Sequence, residues 1–109
     1  MHMTPDKFAA LADPTRLALL SALATGEKTV NELTAPFDMS QPAISRHLKI
    51  LQEAGLITRR IDGTKRPCRL APDGLEQIEA WANMMRRTYT ANYDRLDQVL
   101  ASLPKGDAA

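Results

Sequence analysis

The stretch from Ser40 to Ile57, "SQPAISRHLKILQEAGLI", limits the fold of this chain more than any other. A serine followed by a proline two residues on marks a helix start, and Gly55 followed by an apolar residue marks its end. Projected at about 100° per residue, Ile44, Leu48 and Leu51 gather on one side. Pro42, Ser45, Arg46, Lys49 and Glu53 lie roughly opposite, with Gln41 and Gln52 on the flank. One side of such a helix packs into a core. The other joins short hydrogen-bonding groups near the N-terminal end to cations further along, which suits entry into a DNA major groove. Small Ser45 permits close approach, Gln41 and Arg46 reach base edges, and Lys49 meets phosphate.

The flanking segments have signals of the same kind. Thr4-Pro5-Asp6 starts a short helix with Phe8 and Leu11 on its apolar side. Asp13-Pro14 opens a second helix, in which Leu17, Leu20 and Leu23 fall three apart before Gly26 stops it. Thr29 and Glu32 stand at capping-box spacing ahead of a third, with Val30 and Leu33 facing inward and Pro36 ending it. After Gly55, "LITRRIDGTKRPCRL" reads as two strands around a tight turn signalled by Asp62-Gly63. Ile57, Arg59 and Ile61 alternate there with Thr58 and Arg60, so only one of the two arginines faces a ligand on a given side.

From Asp73 to Leu103, Gly74 is the one glycine and there is no proline. Leu75, Ile78, Ala82, Met85, Tyr89, Asn92, Leu96, Val99 and Leu103 follow in steps of three and four, which is heptad spacing. A helix of this length outruns a small body, and Trp81, Met84, Tyr93 and Leu100 form a second apolar edge. Dimerisation accounts for both. Phe8 and Leu11 of the first helix, with Ile78, Trp81, Ala82, Met85, Tyr89 and Leu96 of the last, are the expected dimer interface. The fold class is mainly α with a small β-hairpin, in the order α-α-α-α-β-β-α: a winged helix-turn-helix, dimeric through its terminal helices. Residues 1–72 make the DNA-binding domain, 73–103 the dimerisation helix, and 104–109 a frayed tail.

Charge supports a nucleic-acid partner. The net charge is only +1, yet residues 40–70 hold seven basic and two acidic side chains, a local +5 between mildly acidic flanks. Positive charge segregated in this way is the footprint of a nucleic-acid surface. A winged helix that only docked other proteins would not need it, which separates that alternative from a DNA-binding regulator. An enzyme is not expected: there is no Ser/His/Asp or Cys/His set and no glycine-rich phosphate loop. A single cysteine excludes an internal disulfide framework and fits a reducing cytoplasm. No apolar run approaches the roughly 20 residues that span a bilayer, and the N-terminus lacks the pattern of a secretion signal.

Three blocks together, "ALADPTRLALLSAL", "TVNELTAPFDMSQPAISRHLKILQEAGLI" and "RRIDGTKRPCRL", resemble the ArsR family of bacterial winged-helix repressors over about residues 8–71. The resemblance implies a homodimer that binds a near-palindromic double-stranded operator and represses transcription, often of its own operon. It implies a recognition helix from Gln41 to Ala54, with Gln41, Pro42, Ser45 and Arg46 facing bases. Ser40, Lys49, Arg60 and the wing residues Thr64, Lys65 and Arg66 would meet the backbone. Many members release DNA on binding metal through a cysteine motif in the helix that matches Val30–Ala35, or through ligands in the last helix. This chain has "VNELTA" at the first place and no histidine after His47. It is closer to members without a metal site, so neither metal nor cofactor is expected, and a small-molecule or redox effector stays open.

Single residues have plainer readings. His47 lies on the Leu51 side of its helix, as a half-buried histidine bonded within the fold. Cys68 fits a small strand residue better than a redox switch, although Arg66 and Arg69 stand near it. Met84 and Met85, with Trp81 and Tyr89, fit a packed dimer core better than an effector pocket. Arg16 opens a helix where acids are favoured, so it makes either a structural ion pair or a phosphate contact.

Overall fold

The structure, a computed structural model, describes residues 5–104. The chain runs α1 (Pro5–Leu11), α2 (Pro14–Leu23), α3 (Val30–Thr34), α4 (Gln41–Glu53), β1 (Ile57–Arg59), β2 (Cys68–Leu70) and α5 (Pro72–Ser102). It divides into two units, one up to Ile78 and one from Glu79 onward. The Thr4 cap and the tail beyond Pro104 lie outside the described residues.

In the first unit the helix starts are those expected from the side chains. Asp13 accepts the Arg16 backbone N–H at 3.0 Å. Thr29 and Glu32 close the capping box, Thr29 Oγ1 accepting the Glu32 N–H while Glu32 Oε1 accepts the Thr29 N–H. Ser40 Oγ accepts the Ala43 N–H at 3.2 Å. Each satisfies a donor that the first helical turn leaves open. At the far end of α4, Gly55 adopts φ +76°. The Leu56 N–H reaches the Leu51 carbonyl and the Gly55 N–H the Gln52 carbonyl. This is a Schellman ending, and only glycine adopts that φ without strain.

Leu19, Leu33, Ile44, Leu48, Leu51, Leu56, Ile57 and Cys68 fill the core and are fully buried. Leu17 is half exposed, contrary to the spacing read from Leu17, Leu20 and Leu23. The buried side of α2 is Leu19, Leu20 and Leu23, an i, i+1, i+4 set centred about 100° from Leu17.

β1 and β2 pair antiparallel with Arg59 opposite Cys68, and Cys68 also exchanges both backbone hydrogen bonds with Lys28. The hairpin keeps its register to the tip, where Asp62 and Lys65 bond reciprocally. The central turn residues are therefore Gly63 and Thr64, with Gly63 at φ +64°. That is the type II′ arrangement, one residue beyond the Asp62-Gly63 centre its sequence suggests. Ile61 is exposed, against its expected alternation with Ile57 and Arg59, because the ladder has left the body beyond the Arg60–Pro67 bond.

α5 starts against this body. A Cβ on Gly74 would come within 2.2 Å of the Gly55 carbonyl oxygen, so the bare backbone of Gly74 is what allows the contact. Ile78 packs on the core. In the second unit, Trp81, Met84, Met85, Tyr89, Tyr93, Leu96, Val99, Leu100 and Leu103 are all exposed. Tyr89 and Tyr93, one turn apart, form a tilted ring pair with centres 5.4 Å apart and planes at 44°.

Candidate nucleic-acid interface

The cap at Ser40 and the core residues Ile44, Leu48 and Leu51 fix α4 in rotation about its axis. Gln41, Pro42, Arg46 and Lys49 are consequently exposed, and Ser45 is half-buried among them. Lys49 approaches Glu53 to 3.9 Å, but both side chains are largely in solvent, so the pair constrains Lys49 little.

The wing tip lies beside the start of α4. Gln41 lines a cleft of about 310 Å³ together with Thr64, Lys65 and Arg66 at the wing tip, and with the cap Thr29 and the first residues of α3, Val30 and Asn31. The sequence sets the turn more than twenty residues from Gln41 and more than thirty from Thr29, Val30 and Asn31. The side chains of Gln41, Thr64, Lys65 and Arg66 offer an amide, a hydroxyl and two cations around one opening, which suits a phosphate-lined edge and the bases beside it. Thr29 and Asn31 were not expected here. The capping box accounted for Thr29, Asn31 had no part in it, and no local signal says that the wing folds over them.

The arginines of the hairpin divide. Arg60, expected on the DNA backbone, donates from Nε and Nη2 to the Glu27 carboxylate at 3.1 and 2.7 Å, with Asp62 at 3.8 Å. The Arg60 hydrogen bonds hold the Glu27 carboxyl below its ordinary value, and Glu27 in turn raises Arg60 above its own. This fork-on-fork pair ties the wing to the loop before α3. Arg59 points to the other side and is half-buried, its Nε and Nη2 sealed from solvent without a hydrogen-bond partner. Arg69 Nε donates to Thr58 Oγ1 at 3.4 Å. Lys65 and Arg66 are the exposed cations of the tip.

Arg16 bonds within the fold, although the acceptors of its guanidinium are backbone carbonyls rather than the acid of the expected ion pair. Its Nε and Nη2 donate to the carbonyls of Ala10 and Ala9 at 2.6 and 3.1 Å, and Nη1 lies 3.2 Å from His47 Nδ1. Asp13 Oδ2 is 3.9 Å from the same His47 nitrogen. The Arg16 backbone N–H lowers the Asp13 carboxyl below its usual range, aided by the charges of Arg16 and His47. His47 is thus a half-buried member of a polar network inside the fold. Cys68 is fully buried, its thiol 3.7 Å from the Arg66 carbonyl. Among the described residues no group of three or more His, Cys, Asp or Glu side chains is placed to hold a metal ion.

A helix-turn-helix with a basic wing, its exposed side chains converging beside the start of the second helix, defines a winged-helix DNA-binding regulator. A sequence model described as "Bacterial regulatory protein, arsR family" matches residues 13–59. The chain is 44% identical over 78 residues to the HTH-type transcriptional regulator Rv2034 of Mycobacterium tuberculosis, covering 71% of this chain and 73% of that protein. It is 35% identical over 100 residues to the arsenical resistance operon repressor of Escherichia coli, covering 90% and 82%. Among solved structures, the ArsR family transcriptional regulator RHA00566 aligns with a TM-score of 0.77 at 35% identity, over 82% of this chain and 98% of that one. The homodimeric winged helix-turn-helix domain Mb0332 of Mycobacterium bovis aligns at 0.62 with 26% identity, over 80% and 81%. The chain belongs to the ArsR family of bacterial regulatory proteins.

Proposed function

We propose that the protein is a homodimeric repressor that binds a near-palindromic operator, its own promoter included among the candidates. The N-terminal half of α4 enters the major groove. Gln41, Pro42, Ser45 and Arg46 face base edges, while Ser40, Lys49, Thr64, Lys65 and Arg66 meet the backbone. Arg60 acts indirectly, through Glu27, by holding the wing that carries Lys65 and Arg66. The observation that carries this reading is the shared cleft of Gln41 and the wing tip within the +5 segment.

Homodimerisation is supported by the exposed apolar heptad face of α5 and by the homodimeric Mb0332 domain. Phe8, Leu11, Ile78, Trp81, Ala82, Met85, Tyr89 and Leu96 line the interface, and the two recognition helices then meet half-sites about 34–36 Å apart or a multiple of that. The place of action is the cytoplasm, in keeping with DNA as the target; among the described residues no helix is long and apolar enough to cross a membrane. Release from DNA does not use a thiolate metal site in α3, because "VNELT" offers none.

Fluorescence anisotropy near 150 mM salt, with duplex from the protein's own upstream region and with random duplex, tests the assignment. Binding at about 10⁻⁸ M or tighter, and at least about a thousandfold tighter than random DNA, is the expected result. Equal, weak and steeply salt-dependent binding to upstream duplex and to duplexes recovered by selection would reject a sequence-specific repressor.

A further inference from the structure

Lys7 is the one buried charged side chain among the described residues, at 8% exposure, and no part of DNA reading as described above uses it. Its Nζ donates to the Ala54 carbonyl at 2.6 Å. Ala54 is the C-cap of α4, so this carbonyl belongs to the negative end of the recognition helix, where a cation is favoured. Gly55 leaves room for the contact, since a Cβ there would stand 3.1 Å from Nζ. A second tie joins the same two helices: Arg16 caps the last carbonyls of α1 while touching His47 of α4.

A methionine would fill the space of Lys7 without the cost of desolvating an ammonium group. What the ammonium adds is direction, a single short bond aimed at one carbonyl. Phe8, the next residue of α1, is exposed and belongs to the proposed dimer interface. One short helix thus turns one side chain toward the dimer contact and its neighbour onto the end of the recognition helix.

We infer that Lys7 is a positioning residue for operator reading: it fixes the recognition helix relative to the dimer contact, and so sets the half-site spacing the dimer accepts. The inference rests on the dimeric reading above and specifies it further. The core residues of α4 keep the helix folded without Lys7. What Lys7 removes is freedom of the C-terminal end to pivot, which two helices bound to a fixed duplex would otherwise share.

The test uses full-length protein and duplexes selected from a random pool by the unaltered protein, remade with one base pair added or removed between the half-sites. One base pair moves a half-site by about 3.4 Å and turns it by about a tenth of a helical turn. The unaltered protein is expected to prefer the selected spacing by about thirtyfold or more. In Lys7→Met, affinity for the selected spacing should fall about tenfold while the shifted duplexes change by less than about threefold, so the preference narrows. Sedimentation should show an unchanged dimer. If Lys7→Met does not fold, Lys7→Gln, neutral but still polar, should narrow the preference in the same direction. A loss equal across all spacings, or no loss, overturns the inference alone. Unaltered protein that sediments as a monomer, or shows no spacing optimum, overturns the dimeric reading and the inference with it.

Discussion

α4 and α5 are both amphipathic helices with a regular apolar side, and they meet opposite fates. In α4 the apolar side is consumed by its own chain: Ile44, Leu48 and Leu51 are completely buried. In α5 only Gly74 is buried, and from Trp81 to Leu103 the apolar side chains stay 37% exposed or more. At 31 residues α5 is about 46 Å long. The recognition helix is therefore stabilised within one chain, whereas the proposed role of α5 is to find its apolar partner in a second copy. Folding and assembly become separable steps, and substitutions should sort by which of the two they disturb.

The largest effect is expected inside the body. Leu48→Ala removes a fully buried side chain and should destabilise the fold by about 2–5 kcal/mol in urea melts, independently of protein concentration. A strong concentration dependence of that loss would erase the distinction between the helices. Met85→Asp acts on the other side of it. The body should keep its melting behaviour while sedimentation shows monomers, and operator affinity should drop about a hundredfold with the loss of the second half-site. A tight dimer in this variant would remove Met85 from the interface.

Smaller effects should separate base reading from backbone contact. Arg46→Ala should reduce discrimination between operator and random duplex by about 1–3 kcal/mol, and equal losses on both would exclude base contact. Lys65→Ala should weaken both alike and flatten the salt slope by about one unit.

The smallest effect concerns acid. The Glu27 carboxyl is lowered from its ordinary value of 4.5, chiefly by the Arg60 hydrogen bond. A group whose folded value is depressed stabilises the fold above its unfolded value and loses that contribution as pH falls through the folded one. Glu27→Gln should therefore be the less stable protein at pH 7, with the difference closing as pH falls below 4.5 and through the lowered folded value. Equal stability at pH 7 would leave the wing tie without thermodynamic weight.

Much of this arrangement was legible in the residues. The caps at Asp13, Thr29 and Ser40, the Schellman glycine and the apolar stripe of α4 are local patterns. Each depends on neighbours within about four positions, and each stands where expected. The exposed side of α4 followed from the same projection, because rotation about a helix axis is settled once its buried stripe is known. Misreadings arose where a local pattern had two solutions. Leucines three apart in α2 allowed two faces, and the alternation through Ile61 assumed a body beneath the whole strand. The Arg60–Glu27 pair lay outside sequence reasoning because its members are 33 positions apart.

The sequence by itself determined the element order, the helix ends, the basic middle segment and the side of α4 turned outward, because caps, period and charge are properties of short windows. The tertiary structure decided which cations are spent inside the chain. Arg60 on Glu27, Arg16 on the end of α1 and Lys7 on the end of α4 are bonds between segments distant in sequence. A cation binds whichever acceptor the fold brings within about 3 Å, and that distance is set only when the hydrophobic core has closed.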